Sequence, residues 1–253
     1  MSLEKELKLK QLYQLLPEGV VAPSTWLTAN GYSPQLLYMY VKHGWLTKIG
    51  RGAYLRPSSI LEWQGAVLGL QKLAELPFHV GGLSALNILG YAHYLPIGGE
   101  KTISLYGAEK PPAWIKQIES LSFSFHKKPL FGDLGLKKEN TSIRDWQITV
   151  SSPERAILEL LYQIDEEGIT FQFVAEIFEG LTTLSPRVLN KLLQNCNSRK
   201  VKRLFLFFAN YYNFPWAKHI SKELELGAGK LQIVKDGNYN KTYMITVPKG
   251  FNA

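Results

Sequence analysis

The stretch Ser24-Thr25-Trp26-Leu27-Thr28-Ala29-Asn30-Gly31-Tyr32-Ser33-Pro34-Gln35-Leu36-Leu37-Tyr38-Met39-Tyr40-Val41-Lys42-His43-Gly44 decides the fold. It holds two short helical runs parted by Asn30-Gly31, a pair that stops one helix and allows a sharp turn. Ser24 offers a cap for the first run. Ser33-Pro34 offers a stronger start for the second, a capping hydroxyl followed by proline at the first helical position. Two helices joined this way form a helix-turn-helix. With Leu36, Leu37, Tyr40 and Val41 turned to a core, helical spacing leaves Gln35, Tyr38, Met39 and Lys42 outside.

Downstream, Trp45–Ile49 and Ala53–Leu55 are β-rich and are joined by Gly50-Arg51-Gly52, which adds a wing with one cation at its tip. Upstream, the leucines from Leu3 to Leu16 build one apolar helical face that ends at Pro17 and Gly19, and Val20–Pro23 is an extended connector. Residues 1–58 therefore read as a winged helix-turn-helix. Ser33, Gln35, Tyr38, Met39, Lys42, Lys48 and Arg51 are its DNA-facing residues. Gln reads adenine edges, Tyr and Lys reach phosphate, and an arginine at a wing tip lies on phosphate or in a minor groove.

Residues 59–253 read as a larger α+β domain, so the fold class is α+β overall. An amphipathic helix spans Ile60 to Leu76, and Ser84 caps a short helix to Leu89. Strands follow at Lys101–Tyr106, Leu121–Phe125 and Gln147–Val150. Ser151 and Glu154 fit a capping box ahead of a helix from Arg155 to Ile164, with further helices at Phe171–Leu181, Pro186–Gln194 and Lys200–Tyr211. A hairpin closes the chain, its strands Leu231–Val234 and Tyr239–Val247 flanking a turn at Asp236-Gly237.

Charge is segregated. The net +8 divides into seven cations against three carboxylates over 1–58, ten against fifteen over 59–186, and twelve against three over 187–253. Basic ends around an acidic middle are the footprint of a polyanion partner. Ser198-Arg199-Lys200-Val201-Lys202-Arg203 sets four cations at a helix start, where the dipole is already positive and each exposed charge costs about 0.3–1 kcal/mol. Either a bound polyanion or docking of Asp165-Glu166-Glu167 would offset that cost.

Several chemistries find no support. The only cysteine is Cys196, which excludes an internal disulfide and multi-cysteine zinc sites. The histidines lack metal-ligand spacing, Gly82-Leu83-Ser84-Ala85-Leu86 lacks the second glycine of a nucleophile elbow, and Leu226-Gly227-Ala228-Gly229-Lys230-Leu231 lacks the rest of a phosphate loop. No catalytic residue, cofactor or metal site is expected. Met1–Lys8 alternates charge where a signal peptide needs an apolar run, and Leu204–Ala209 is too short to span a bilayer, so a cytoplasmic protein without a membrane partner is expected.

Two stretches resemble the AbiEi-type antitoxin regulators of bacterial type IV toxin–antitoxin (abortive infection, phage resistance) systems. One is the wing, Gly44 to Tyr54. The more specific comprises Lys200 to Leu206, Leu226 to Lys230, and Gly237 to Pro248, in the family's order. Ala228 stands where Ser is frequent and Asn240 where Asp is. The resemblance implies a non-enzymatic transcriptional autorepressor that binds inverted repeats in double-stranded operator DNA. It also implies an antitoxin that counteracts a cognate nucleotidyltransferase-type toxin without requiring a stable complex. Arg199, Lys200, Lys202, Arg203, Lys230 and Lys241 are then the residues of a basic antitoxin surface. Two alternatives remain: a transcription factor with a ligand-sensing or dimerisation domain unlinked to a toxin, and a nucleic-acid-processing enzyme targeted by a winged helix.

Overall fold

The structure is a computed structural model that describes residues 3–91, 102–127, 130–166 and 168–251. Two compact units emerge: Met1–Val80 with Leu95–Lys127 and Lys138–Thr149, and Gly81–Tyr94 with Lys128–Lys137 and Val150–Ala253. Residues 1–58 lie within the first unit, and residues 59–253 contribute to both.

The first unit begins with α1 (Leu3–Leu15), β1 (Ala22–Pro23), α2 (Ser24–Ala29), α3 (Pro34–Lys42), β2 (Thr47–Gly50) and β3 (Ala53–Leu55). The strands form a sheet in the order β1-β3-β2, the arrangement of a winged helix-turn-helix. Leu12, Leu16, Val21, Leu27, Leu37, Tyr40, Leu46 and Leu55 make its core. Helix α2 starts at Ser24 itself, after Pro23, and has no side-chain cap.

The amphipathic run after residue 58 is shorter than its apolar pattern suggests. It forms α4 (Trp63–Leu68), which widens into a π-helical turn over Gly69–Leu73. Here two backbones meet: the carbonyl of Gly65 accepts from the amide of Val21 at 3.2 Å, and the amide of Ala74 bonds back to Gly69. That approach needs glycine, because a Cβ on Gly65 would sit 1.7 Å from the Gly19 oxygen and one on Gly69 2.4 Å from the Val21 oxygen.

Beyond lie β4 (His79–Val80), α5 (Gly82–Ile88), β5 (Thr102–Tyr106), a 3-10 turn at Ala113–Gln117, β6 (Ser122–His126), β7 (Leu136–Asn140) and β8 (Gln147–Ser151). The sheet order is β6-β5-β4-β8-β7, with β5 and β6 parallel and β4 antiparallel to β5. Lys101, expected to open β5, lies outside the described residues. Strands β4 and β7 were not anticipated, since one is two residues long and the other is Leu-Lys-Lys-Glu-Asn. Gln71 ties the π turn to the sheet: its amide donates to Phe78 and Thr149 carbonyls, and its oxygen accepts from the Thr149 amide at 2.7 Å.

The second unit is mostly helical: α6 (Pro153–Tyr162), α7 (Phe171–Glu179), α8 (Pro186–Asn195) and α9 (Arg199–Tyr211), around a core rich in phenylalanine. Its cap falls one residue later than the expected box, on Ser152, whose hydroxyl accepts from Arg155. Ser151 is buried and donates to Glu159 at 2.7 Å, while Glu154 accepts from the Ser185 amide. Ser84 likewise is not a cap; it is buried inside α5. The chain ends with β9 (Leu231–Gln232), β10 (Asn238–Asn240) and β11 (Ile245–Val247). The hairpin is β10–β11, and β9 pairs with β11 in parallel. Its turn is therefore at 241–244 and not at Asp236-Gly237, because Asn240 accepts from the Tyr243 amide and fixes the reversal there.

Candidate nucleic-acid interface

Helix α3 is fixed at both ends by its own sequence. Ser33 has extended geometry and its hydroxyl accepts from the Leu36 amide at 3.3 Å, while Pro34 occupies the first turn. Gly44, at φ +71°, lets the chain leave towards the wing. On the inner side Leu37 and Tyr40 are buried, and Leu36 and Val41 are half-buried. Tyr40 meets the edge of Trp45 at 5.6 Å, and Tyr13 donates to the Trp45 carbonyl at 2.8 Å, which locks α3 to α1 and the wing.

The outer side carries Ser33, Gln35, Tyr38, Met39 and Lys42, all exposed, Tyr38 to 68%. Lys48 and Arg51 of the wing are exposed too. Glu18 pairs with Arg56 at 2.9 Å, and Arg56 rests 4.4 Å from the centre of the Tyr13 ring, so this cation is engaged internally.

The wing tip is braced by residues the sequence reading did not single out. The Arg51 amide donates to the Gln117 side chain at 2.7 Å, and the Gly52 carbonyl accepts from the Ser24 amide at 2.7 Å. A Cβ on Gly50 would press on Gln117 and Trp114, and Gly52 sits at φ +76°. The first glycine thus answers to close approach and the second to left-handed backbone. Gln117 lies 66 residues away in the chain, and no local motif announces it.

The second basic region differs from expectation. Arg203 is fully buried, so it cannot belong to a surface: its guanidinium donates to the carbonyls of Leu226, Gly227, Gly229 and Met244 at 2.6–3.2 Å. Burial lowers its pKa, as does neighbouring Arg199. Arg199 donates to the Ala228 carbonyl and Lys202 to that of Glu225. Lys200 donates to the carbonyls of Tyr162 and Ile164. Its desolvation lowers its pKa, an effect opposed by the charges of Asp165 and Glu166. Lys230 and Lys241 are exposed. Cys196 is buried, which raises its thiol pKa. Among the described residues no group of three or more His, Cys, Asp or Glu could hold a metal ion, and no helix is long and apolar enough to cross a membrane.

Family models agree with this arrangement over nearly the whole chain. Residues 5–97 match the model described as the transcriptional regulator, AbiEi antitoxin N-terminal domain, and residues 100–248 match that of the transcriptional regulator, AbiEi antitoxin, type IV toxin–antitoxin system. The chain belongs to the AbiEi antitoxin family. This AbiEi chain resembles the crystal structure of the RV2827C protein from Mycobacterium tuberculosis, with a TM-score of 0.56 and 15% identity over 94% of this chain and 88% of that one. At that identity the likeness speaks for the fold alone. No curated protein matches by sequence. In this AbiEi protein, then, the seven winged-helix residues expected to face a ligand are all on the surface, whereas the basic run of α9 is largely tied to backbone carbonyls.

Proposed function

We propose that the winged helix of residues 1–58 binds operator DNA and represses its own operon, and that residues 59–253 supply the antitoxin activity. On this reading α3 enters the major groove. Gln35 and Met39 face base edges and thymine methyls, and Ser33, Tyr38, Lys42, Lys48 and Arg51 hold phosphates. Inverted repeats place one winged helix on each half-site. The toxin it counteracts is a nucleotidyltransferase, and neutralisation needs neither catalysis nor a stable complex.

What carries the DNA reading is the outward face of α3, polar and cationic, with the arginine-tipped wing as its companion. The test is a gel shift with a duplex from the chain's own promoter across a salt series. Arg51→Ala and Lys42→Ala are each expected to weaken binding and to cut the slope of log K against log salt by about one unit. Unchanged affinity and slope in both variants overturns the reading.

A further inference from the structure

The sheet β6-β5-β4-β8-β7 has two edges, and their sequences treat them differently. An open strand edge is a template for pairing with another chain, and charged residues or proline commonly blunt it. At one edge β7 reads Leu136-Lys137-Lys138-Glu139-Asn140 and is blunted in this way. At the other, β6 reads Ser122-Phe123-Ser124-Phe125-His126, with no Lys, Arg, Asp, Glu or Pro. Parallel pairing with β5 uses the peptide groups of alternate residues only. The His126 carbonyl accepts from the Gly107 amide, so the N–H and C=O groups of Ser122, Ser124 and His126 are the ones that face β5. Those of Phe123 and Phe125 point out of the edge, and they have no hydrogen-bond partner among the described residues. Both phenylalanines are half-buried, and with Ile115, Lys116 and Leu121 they line a groove beside β6.

This strand is complementary to a second copy of itself. Laid antiparallel about a two-fold axis at Ser124, it sets Phe123 opposite Phe125 of the partner subunit. In an antiparallel ladder the residues whose groups point outward exchange both of their hydrogen bonds, so this register uses every outward group of β6. Ser124 then meets its own counterpart in a non-hydrogen-bonded pair, with Cα atoms about 4.5 Å apart. Side chains agree with that pairing. Thr102–Ser122 and Ser104–Ser124 hydroxyl contacts occupy one face of the sheet, which leaves Phe123 and Phe125 together on the other. Aromatic pairs across antiparallel strands are favourable. The flanking charges agree as well: exposed Glu119 precedes the strand and exposed Lys127 follows it, so antiparallel order brings opposite signs to each end.

We infer that β6 joins two copies of this chain edge to edge, about an axis at Ser124. Strand β6 and the winged helix lie in one unit, so such a pair carries two winged helices, as inverted half-sites require, but the association itself does not depend on the operator reading. The full-length protein, without DNA, is followed by analytical ultracentrifugation over a dilution series. A reversible monomer–dimer equilibrium is expected, weak because one pair of strands buries less than a standard interface. Ser124→Lys and Ser124→Asp each set like charges opposite one another at the axis and should each weaken association about fivefold. Mixing the two variants should restore it. Ser124→Cys is an independent check: the Cα separation at the axis is within disulfide range, so mild oxidation should link the dimer. Ser122→Cys, which faces His126 of the partner subunit in this register, should not be linked. Cys196 is buried and does not compete. A protein that stays monomeric at every concentration overturns the inference. So does a dimer that Ser124→Lys leaves as tight as the parent's, or one that Ser122→Cys links as readily as Ser124→Cys.

Discussion

Glu159 is 1% exposed, and Arg155, Ser151 and Gly82 of its own unit hold its carboxylate. One oxygen takes Arg155 Nε at 2.7 Å; the other takes the Ser151 hydroxyl and the Gly82 amide. Arg155 in turn donates to the Gly132 and Leu134 carbonyls. Removing one partner of such a pair strands the other charge away from water, which costs about 3–5 kcal/mol. Glu159→Gln should therefore lower the urea midpoint by that amount of stability with little change in far-UV dichroism under native conditions. A midpoint equal to the parent's would mean that Arg155 finds compensation elsewhere. Arg203 shows the other solution to a buried cation: neutral carbonyls at 2.6–3.2 Å, with no carboxylate partner among the described residues.

Among the elements, the junction of α4 with the segment Gly19–Val21 is the most demanding. Gly65 and Gly69 bring two backbones into contact, and at Gly65 the obstacle to a methyl group is a main-chain oxygen that no rotamer change can move aside. Gly65→Ala would ordinarily favour a helix; here it should destabilise the first unit by about 1–3 kcal/mol or more. Thermal unfolding of the variant checks this, and a melting temperature at or above the parent's would refute it. Elements of this kind also mark where the sequence stopped being readable. The helix-turn-helix and wing were legible because caps, turn residues and helical spacing are all local signals, and Ser33-Pro34 supplied two of them at once. The π turn and strands β4 and β7 were not, since each is set by a partner distant in sequence; the hairpin turn is held by the local bond from the Tyr243 amide to Asn240, but Asp236-Gly237 is the more conspicuous turn signal in the same stretch. The cations of α9 fall between. Their conflict with the helix dipole was visible, but carbonyls more than twenty residues away carry no side-chain signature.

Taken as a whole, the chain keeps two basic regions of different character. In the winged helix Lys42, Lys48 and Arg51 are exposed; in the second unit most of the expected cations are anchored, and Lys230 and Lys241 are the described ones among them that remain exposed without a backbone partner. This separates two functions in one experiment. A variant carrying Lys230→Ala and Lys241→Ala should keep its operator affinity and salt slope, because counterion release counts only the cations that meet DNA. The same variant, co-expressed with a nucleotidyltransferase-type toxin that the parent protein neutralises, should lose the rescue of growth. Reduced operator binding in that variant would show instead that both regions contact the duplex.

The bracing of the wing has a further consequence. With the amide of Arg51 held by Gln117 and the Gly52 carbonyl held by Ser24, the tip is shaped before any ligand arrives, and little chain entropy is lost on docking. On the proposed DNA-binding reading, a tip braced in this way would work as a fixed gauge of groove width. Mismatched sequences would then have to deform to meet it, and discrimination among them would fall on the stiffness of the duplex.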